Sequence, residues 1–340
     1  MVDQVVFVVS EVSQVGEVRR QATRYAEAAG FGEVKQGNVA IVATELANNL
    51  LRHAQRGHIF LQTVNTSQGK AIELLSIDTG PGIANLALSL QDGYSTAGTP
   101  GNGLGAIKRL STHFDIYSLP ERGTVVYSQI GGDRSIANLE ESFQVGSVSL
   151  AMAGEIACGD SWNSSFAAAP STNFRLIVSD GLGHGPLAAE AATGANQVFD
   201  SDSSMDPELL LQKIHQRLNG TRGAAVAVAC LNEQNQRISY AGVGNISGTI
   251  ISSRARQGLV SHNGIVGVKL QKVQRFEYPY ENNGLLIMHS DGLKTRWSFD
   301  EYPGLQLRHP ALIAGVLYRD FCRGSDDVTV VVVRLSHSRI

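Results

Sequence analysis

Two apolar runs in the second half of the chain, far apart in sequence, end in the same tripeptide, Ser-Asp-Gly. The first reads VSDGLGHGP and contains Asp180, and the second reads HSDGLK and contains Asp291. Asp beside Gly is common in turns, so each site alone also fits a strand-to-helix turn, with Pro186 opening the helix after the first. An ordinary turn does not explain why two separate strands end alike. The pattern therefore indicates a shared role for the two carboxylates.

Two further acidic sites lie in the same half of the chain. Asp160 stands in CGDSW, and the pair Asp326 and Asp327 opens the strand-like run GSDDVTVV. Carboxylates gathered at converging strand ends repel one another unless cations lie between them. Ligands that are all oxygen suit Mg²⁺ or Mn²⁺ rather than zinc. The second half is therefore predicted to bind divalent metal ions.

The order GD, SDGxGHG, SDG and DDxT resembles the metal-dependent protein phosphatases (the PPM family), in the bacterial branch that contains RsbX and SpoIIE. The resemblance spans roughly residues 146–335 and implies a PPM-type αββα sandwich. It also implies hydrolysis of phosphoserine or phosphothreonine by water activated between two Mn²⁺ or Mg²⁺ ions. The implied metal ligands are Asp160, Asp180, the Gly181 carbonyl, Asp291 and Asp326, with Asp180 bridging both ions and Asp160 serving the second. Asp326 is preferred to Asp327 because the first acidic residue of this motif is the usual ligand.

Other residues also match positions of this family. The resemblance gives Arg222, Gly223, Gly244 and Asn245 scaffold roles, and it leaves His184 either as a buttress of the turn or as the acid for the leaving alkoxide. Eukaryotic members bind the phosphate with an N-terminal arginine, and no residue here matches it. Recognition of the substrate phosphate is therefore left open.

The first half contains a different set of polar residues. In ATELANNLLRHA, Glu45 and Asn49 are four apart and so adjacent on a helix, beside an apolar stripe. The solvated flank of an amphipathic helix would look the same. Two glycine-rich stretches favour a ligand site: SIDTGPGI follows a strand, and AGTPGNGLGAIKRL precedes a helix, whose free N–H groups attract phosphate.

The Asn box, DxGxG and GxGLG, in this order, resemble the GHKL ATPase family and its RsbT- and RsbW-type switch kinases, over about the first 130 residues. These kinases phosphorylate a serine or threonine on a small STAS-fold antagonist. The resemblance implies a Bergerat-type α/β sandwich that binds ATP, with Asn49 holding Mg²⁺ and Glu45 as general base. It assigns the adenine pocket to Asp78, Gly80, Gly82 and Thr124, and the phosphate lid to Gly101, Gly103, Leu104 and Gly105. No histidine-bearing dimerisation domain is present, so a two-component histidine kinase is not expected.

Hydrophobic periodicity predicts helices and strands in both halves. In the first half we expect helices over residues 12–29, 36–54 and 106–112 and strands over 58–65, 71–78, 114–119 and 124–130, after a strand-like run at the N-terminus. In the second half we expect strands over 146–154, 174–180, 224–231, 237–243, 248–253, 284–291 and 328–335 and helices over 186–199, 207–218 and 310–321. The predicted fold class is α+β, with domains 1–132 and 144–340 joined by a linker, 133–143.

Composition excludes several other classes of protein. The net charge of −3 comes without a basic stripe, which argues against a nucleic-acid partner. The three cysteines are too widely spaced to indicate zinc or a disulfide framework. No signal peptide and no apolar run of transmembrane length is seen, so we expect a cytoplasmic protein without a membrane partner.

These observations favour a bifunctional switch regulator, a serine/threonine kinase fused to a metal-dependent protein phosphatase. The expected partner of both halves is a STAS-domain phosphoprotein of a sigma-factor or stressosome pathway. In an alternative interpretation, the first half is an ATP-binding regulatory or anti-sigma-type binding module that controls the phosphatase. Retention of both Glu45 and Asn49 favours the kinase, because a module that only binds needs no base.

Overall fold

A computed structural model describes residues 4–66, 69–90, 103–131, 143–166 and 173–335. The chain divides into two compact units, one formed by Val2–Asn138 with Tyr302–Arg319, the other by Leu139–Glu301 with Asp320–Ile340. The segment Tyr302–Arg319 thus groups with the N-terminal unit, although sequence places it inside the domain 144–340. The architecture is the predicted α+β type. No helix in the described part of the chain is long and apolar enough to span a bilayer.

The N-terminal unit follows the predicted order of elements closely. Its elements are β1 (Gln4–Val9), α1 (Val12–Ala28), α2 (Glu33–Asn49), β2 (Gly57–Thr66), β3 (Gly69–Asp78), α3 (Leu86–Ser89), α4 (Gly103–Leu110), β4 (His113–Leu119) and β5 (Gly123–Gly131). A π-helical turn, Leu50–Ala54, continues α2, so the predicted helix 36–54 is confirmed as one helical stretch. Among the described residues, the strands form an antiparallel five-stranded sheet in the order β1-β2-β3-β5-β4.

Helices α1 and α2 cover one face of this sheet. On β3, Ile72 and Leu74 join the core that contains these helices, because alternate strand residues point to the same face. Their neighbours Leu75 and Ile77 are buried as well, although they point to the opposite face. Strand β5 is likewise buried along its whole length. The sheet is therefore covered on both faces.

The C-terminal unit contains two further five-stranded sheets, as far as the chain is described. One has the order β13-β10-β9-β8-β7 and the other β12-β11-β14-β15-β6. The strands are β6 (Phe143–Leu150), β7 (Asp160–Phe166), β8 (Asn173–Gly181), β9 (Ala224–Asn232), β10 (Arg237–Val243), β11 (Ser247–Ile251), β12 (Arg256–Gly258), β13 (Phe276–Pro279), β14 (Gly284–His289) and β15 (Val328–Leu335). Helices α5 (Pro186–Ser201) and α6 (Pro207–Arg217) pack on the first sheet, where Ala191, Phe199 and Ile214 form a core with β9.

Seven strands of this unit were predicted, but β7, β12 and β13 were not. The sequence of β7, DSWNSSF, lacks the apolar alternation that marks a half-buried strand. It pairs antiparallel with the apolar strand β8, and this register places Asp160 directly opposite Asp180.

Helix α7 (Pro310–Phe321) begins in the segment that groups with the N-terminal unit, and this segment covers the second face of the N-terminal sheet. A methyl group on Gly315 would lie 2.9 Å from Val125 Cγ1 and 3.2 Å from Ile77 Cδ1. The His309 ring stacks on Tyr127, with ring centroids 3.9 Å apart. The His309 N–H donates to Asp115 Oδ2 on β4 (2.9 Å). Residues Tyr302–Arg319 thus complete the N-terminal core.

Candidate metal centre and nucleotide site

The ends of four strands carry the predicted metal ligands. Asp160 begins β7, Asp180 lies near the end of β8, Asp291 follows β14 and Asp326 precedes β15. Because β7 pairs with β8 and β14 pairs with β15, each pair of carboxylates comes from adjacent strands. The structure therefore brings the predicted acidic residues to one region of the C-terminal unit.

Electrostatics shows how closely these carboxylates converge. Burial raises the pKa of Asp180 to about 7, and the charges of Asp291, Asp326 and Asp327 add to this effect. Burial, followed by the charge of Asp180, raises the pKa of Asp160 well above its ordinary value. Burial also raises the pKa of Asp326. A cluster of acids whose pKa values are raised by burial and by one another is a set of oxygen donors suited to a hard divalent cation.

The convergence of these carboxylates does not amount to a complete set of metal ligands. Among the described residues, no three His, Cys, Asp or Glu side chains lie at the spacing of a closed metal shell. Two features nevertheless favour a metal ion here: the carboxylate oxygens of these residues and the convergence of the strand ends that carry them.

Two neighbouring side chains hold these acids in place. Asn245 Nδ2 donates to Asp291 Oδ2 (2.7 Å), and the Asn245 amide also lowers the pKa of Asp180. Ser290 Oγ donates to Asp160 Oδ2 (2.6 Å) and accepts the Thr329 N–H (3.0 Å). Asn245 matched a family position in the sequence, whereas the pairing of Ser290 with Asp160 depends on contact between distant strands.

Asp326 and Asp327 have different surroundings. Asp327 is buried, and its two oxygens accept the N–H groups of Met152 (2.8 Å) and Gly159 (2.9 Å). Asp326 is only half-buried, and its Oδ1 accepts the Asp327 N–H (2.9 Å). These contacts support the preference for Asp326 as the ligand, because the oxygens of Asp327 are already engaged by the backbone.

His184 and Gly181 shape the loop after β8. His184 Nδ1 lies 2.6 Å from Glu155 Oε1, which links this loop to the one that precedes β7. Sequence reasoning did not find Glu155, which stands in no recognisable motif. A methyl group on Gly181 would lie 2.0 Å from the carbonyl oxygen of Ala188 in α5, so no side chain fits there. Glycine at this position lets strand and helix approach closely.

The predicted nucleotide-binding residues also meet in the N-terminal unit. Glu45 and Asn49 lie on α2, and both side chains face the start of α4. A methyl group on Gly103 would lie 3.0 Å from Glu45 Oε2 and 3.5 Å from Asn49 Oδ1. The general-base candidate, the Mg²⁺-ligand candidate and the first described residue of the lid are therefore neighbours. Leu104 and Gly105 continue α4, whereas Gly101 lies outside the described residues.

The adenine-pocket candidates surround the end of β3. Asp78 Oδ1 accepts the backbone N–H groups of Gly80 (2.8 Å) and Thr124 (3.1 Å), so Thr124 contacts Asp78 directly. Burial raises the pKa of Asp78, and these two hydrogen bonds oppose the shift. Gly82 has φ +71°, and a methyl group there would lie 2.1 Å from the Leu119 carbonyl oxygen. Only glycine fits this turn.

Each half of the chain is similar to a different known protein. Residues 8–129 match the family described as histidine kinase-like ATPase domain, and residues 170–336 match the family described as stage II sporulation protein E (SpoIIE). Serine/threonine-protein kinase RsbT of Bacillus subtilis (strain 168) is 33% identical over 108 residues, covering 32% of this chain and 81% of RsbT. Phosphoserine phosphatase RsbX of the same organism is 28% identical over 144 residues, covering 42% of this chain and 70% of RsbX. A solved structure described as "The bacterial stressosome: a modular system that has been adapted to control secondary messenger signaling" is 30% identical with a TM-score of 0.52, covering 56% of this chain and 99% of that chain.

Proposed function

Because the chain belongs to the histidine kinase-like ATPase family of RsbT in its N-terminal domain, and to the SpoIIE phosphatase family in its C-terminal domain, we propose that it is a bifunctional partner-switching regulator. Its C-terminal domain is a metal-dependent protein serine/threonine phosphatase. Its N-terminal domain is an ATP-dependent serine/threonine kinase. Both act on a regulatory protein partner.

The convergence of Asp180 with Asp291 and Asp326 is the observation that carries the phosphatase assignment. Bound Mn²⁺ or Mg²⁺ would supply an activated water and neutralise charge on the phosphoryl oxygens. The chain itself positions the donors: Asn245 orients Asp291, and Ser290 holds Asp160 beside Asp180. Asp180 and Asp291 are the residues whose loss should abolish hydrolysis, since each removes ligand charge from the metal site.

The kinase assignment is supported by the position of Glu45. Its carboxylate faces the start of α4, next to the Asn49 amide that would hold Mg²⁺. A base at this point can accept the proton of an incoming serine or threonine hydroxyl, while Asn49 keeps the phosphates oriented. Glu45→Gln should therefore retain ATP binding and lose phosphoryl transfer, whereas Asn49→Ala should weaken Mg-ATP binding itself.

We infer that the shared substrate is a STAS-domain phosphoprotein in a sigma-factor or stressosome pathway. An RsbT-like and an RsbX-like half on one chain support this, as does the similarity to a stressosome structure. Two sites on one chain also raise the effective concentration of each for a partner docked at the other.

One assay tests the whole proposal. Candidate STAS proteins are incubated with labelled ATP, Mg²⁺ and Mn²⁺, and their phosphorylation level is measured over time. Wild-type protein should hold the partner at a partial level and hydrolyse ATP steadily. Asp180→Asn should drive the partner towards full phosphorylation, and Glu45→Gln should leave it unphosphorylated. Phosphopeptide mapping that finds the kinase and the phosphatase acting on different residues would contradict a single switch.

One observation favours a second function, in which nucleotide binding controls the phosphatase. Residues Tyr302–Arg319 lie in sequence between Asp291 and Asp326, yet they belong to the N-terminal unit. There Gly315 contacts Ile77 and Val125, the neighbours of Asp78 and Thr124. Nucleotide binding at Asp78 would thereby act on a segment joined to both metal-site loops.

Hydrolysis of p-nitrophenyl phosphate with and without ATP tests this second function, with Mn²⁺ kept in excess over nucleotide. Control by nucleotide predicts that ATP changes kcat/KM of the wild-type protein but not of Asn49→Ala. An equal rate with and without ATP in the wild-type protein would exclude it.

A further inference from the structure

Exposed apolar side chains border the metal site of the C-terminal unit. Ile156, Leu182, Leu187 and Val268 are 91%, 52%, 53% and 58% exposed. Single exposed apolar residues are ordinary on protein surfaces. These four are different because they lie on segments that contact one another and adjoin the metal ligands.

The contacts between the loops are specific. The bond between His184 and Glu155 (2.6 Å) joins the loop that carries Leu182, which leads into α5 and Leu187, to the loop that carries Ile156. The Leu182 N–H donates to the Gly223 carbonyl (3.0 Å), and a methyl group on Gly223 would lie 2.9 Å from Val268 Cγ2. The segments that carry the four apolar side chains are therefore linked to one another.

A cation belongs to the same surface. Arg222 is exposed, and its Nη1 would lie 3.1 Å from a methyl group on Gly183, in the loop after Asp180. Its guanidinium has no ion-pair partner within the described ranges of the chain. Arginine among exposed apolar residues is typical of protein-binding surfaces, and its charge complements a phosphorylated, anionic segment.

We propose that Ile156, Leu182, Leu187 and Val268, with Arg222, form the docking surface for the phosphorylated segment of a protein substrate. The occupant is an extended peptide whose phosphoserine or phosphothreonine is flanked by apolar side chains. This inference rests on the proposed phosphatase function. A small phosphate ester has no flanking apolar groups to bury against these side chains, whereas a segment of a protein substrate does.

Two phosphoserine peptides and p-nitrophenyl phosphate test the proposal on the full chain with Mn²⁺. The peptides are identical except that the two residues on each side of the phosphoserine are Leu in one and Ser in the other. Wild-type protein should hydrolyse the Leu-flanked peptide with a kcat/KM about tenfold higher, because partial burial of leucine side chains on the enzyme stabilises its complex.

Variants of the surface should remove this preference selectively. Ile156→Ser and Leu187→Ser should each lower kcat/KM for the Leu-flanked peptide about fivefold and leave hydrolysis of p-nitrophenyl phosphate within about twofold of wild type. Arg222→Ala should lower peptide hydrolysis at low salt, with a smaller loss at about 0.5 M salt, where charges are screened. Val34→Ser is the matched control, because Val34 is 79% exposed but lies in the N-terminal unit. This variant should leave kcat/KM for the peptide and for p-nitrophenyl phosphate unchanged.

The outcomes distinguish this inference from the function on which it rests. If wild-type protein with Mn²⁺ hydrolyses none of the three substrates, the phosphatase assignment itself fails. If it hydrolyses all three but shows no preference for the Leu-flanked peptide, the docking surface is wrong. Equal losses of p-nitrophenyl phosphate and peptide hydrolysis in Ile156→Ser would also overturn it, since the residue would then act on the metal site.

Discussion

Asp180 is half-buried beside other carboxylates, and its pKa is raised to about 7 from an ordinary 3.8. Because the pKa of this carboxyl is higher in the folded protein than in the unfolded chain, only the folded protein holds the proton at pH values between the two pKa values. The resulting stability is complete below about pH 4 and is lost as pH rises through about 7. Burial is the first cause of the shift, and the neighbouring charges follow.

We therefore expect Asp180→Asn, which keeps the shape without the charge, to change the pH dependence of stability in EDTA. At about pH 3.5 the variant and the wild type should melt together, whereas at about pH 7.5 the variant should melt several degrees higher. Excess Mn²⁺ should reverse this order by stabilising only the wild type. Calorimetry at the two pH values measures the difference, and parallel melting curves at both would contradict the raised pKa.

Of the two adjacent acids before β15, Asp326 should matter for catalysis and Asp327 for folding stability. Asp326→Asn should lower phosphatase activity by a factor on the order of 100 with little change in Tm, because a charged ligand is lost from a half-buried site. Asp327→Asn should cost about 2 kcal/mol of folding stability, because its buried carboxylate accepts two backbone N–H groups. Activity assays and urea denaturation of both variants check this pair. The reverse pattern would make Asp327 the ligand.

At the scale of elements, the turn after β3 depends on Gly82. In Gly82→Ala, alanine would have to adopt a positive φ, and its methyl group would lie 2.1 Å from the Leu119 carbonyl oxygen. The turn must therefore open and displace Asp78 and Thr124. We expect this variant to lose most ATP affinity. Gly30→Ala is the matched control, because Gly30 also has a positive φ (+84°) but no atom within 4 Å of the added methyl group. It should cost only about 1 kcal/mol and leave ATP binding intact. Isothermal titration with Mg-ATP separates the two, and equal affinities would show that the turn tolerates the clash.

At the scale of the whole molecule, the N-terminal unit is completed by residues that follow Asp291 in sequence. Phe60 packs edge-on against Tyr318, with ring centroids 5.8 Å apart, and Tyr127 stacks on His309. Without Tyr302–Arg319, this face of the sheet would expose aromatic and aliphatic side chains to water.

A fragment of residues 1–138 should therefore bind the dye ANS and melt well below the same fragment carrying residues 302–321 on a flexible linker. The appended segment restores the apolar contacts of the second face at a small loop-closure cost. The control is the appended segment with Gly315→Leu, whose side chain would collide with Val125 and which should not restore stability. Thermal melting and ANS fluorescence compare the three proteins, and equal Tm values would show that the sheet needs no cover.

The sequence by itself determined most of the elements and indicated both sets of candidate site residues. Helix 36–54, the strand ends at Asp180 and Asp291, and the glycine turn after Asp78 were all predicted, because periodicity and turn chemistry are local properties of the chain. The register of β7 against β8 was decided only by the tertiary structure. The polar strand DSWNSSF has no apolar pattern of its own, and its pairing with an apolar strand places Asp160 opposite Asp180.

The tertiary structure alone also decided what covers the second face of the N-terminal sheet. The apolar run of β3 indicates burial on both faces, but it carries no information about the covering partner. That partner is Tyr302–Arg319, more than two hundred residues further along the chain. Burial is set by long-range packing, in which any apolar surface of matching shape can serve, so a local pattern reveals that a face is covered but not by which segment.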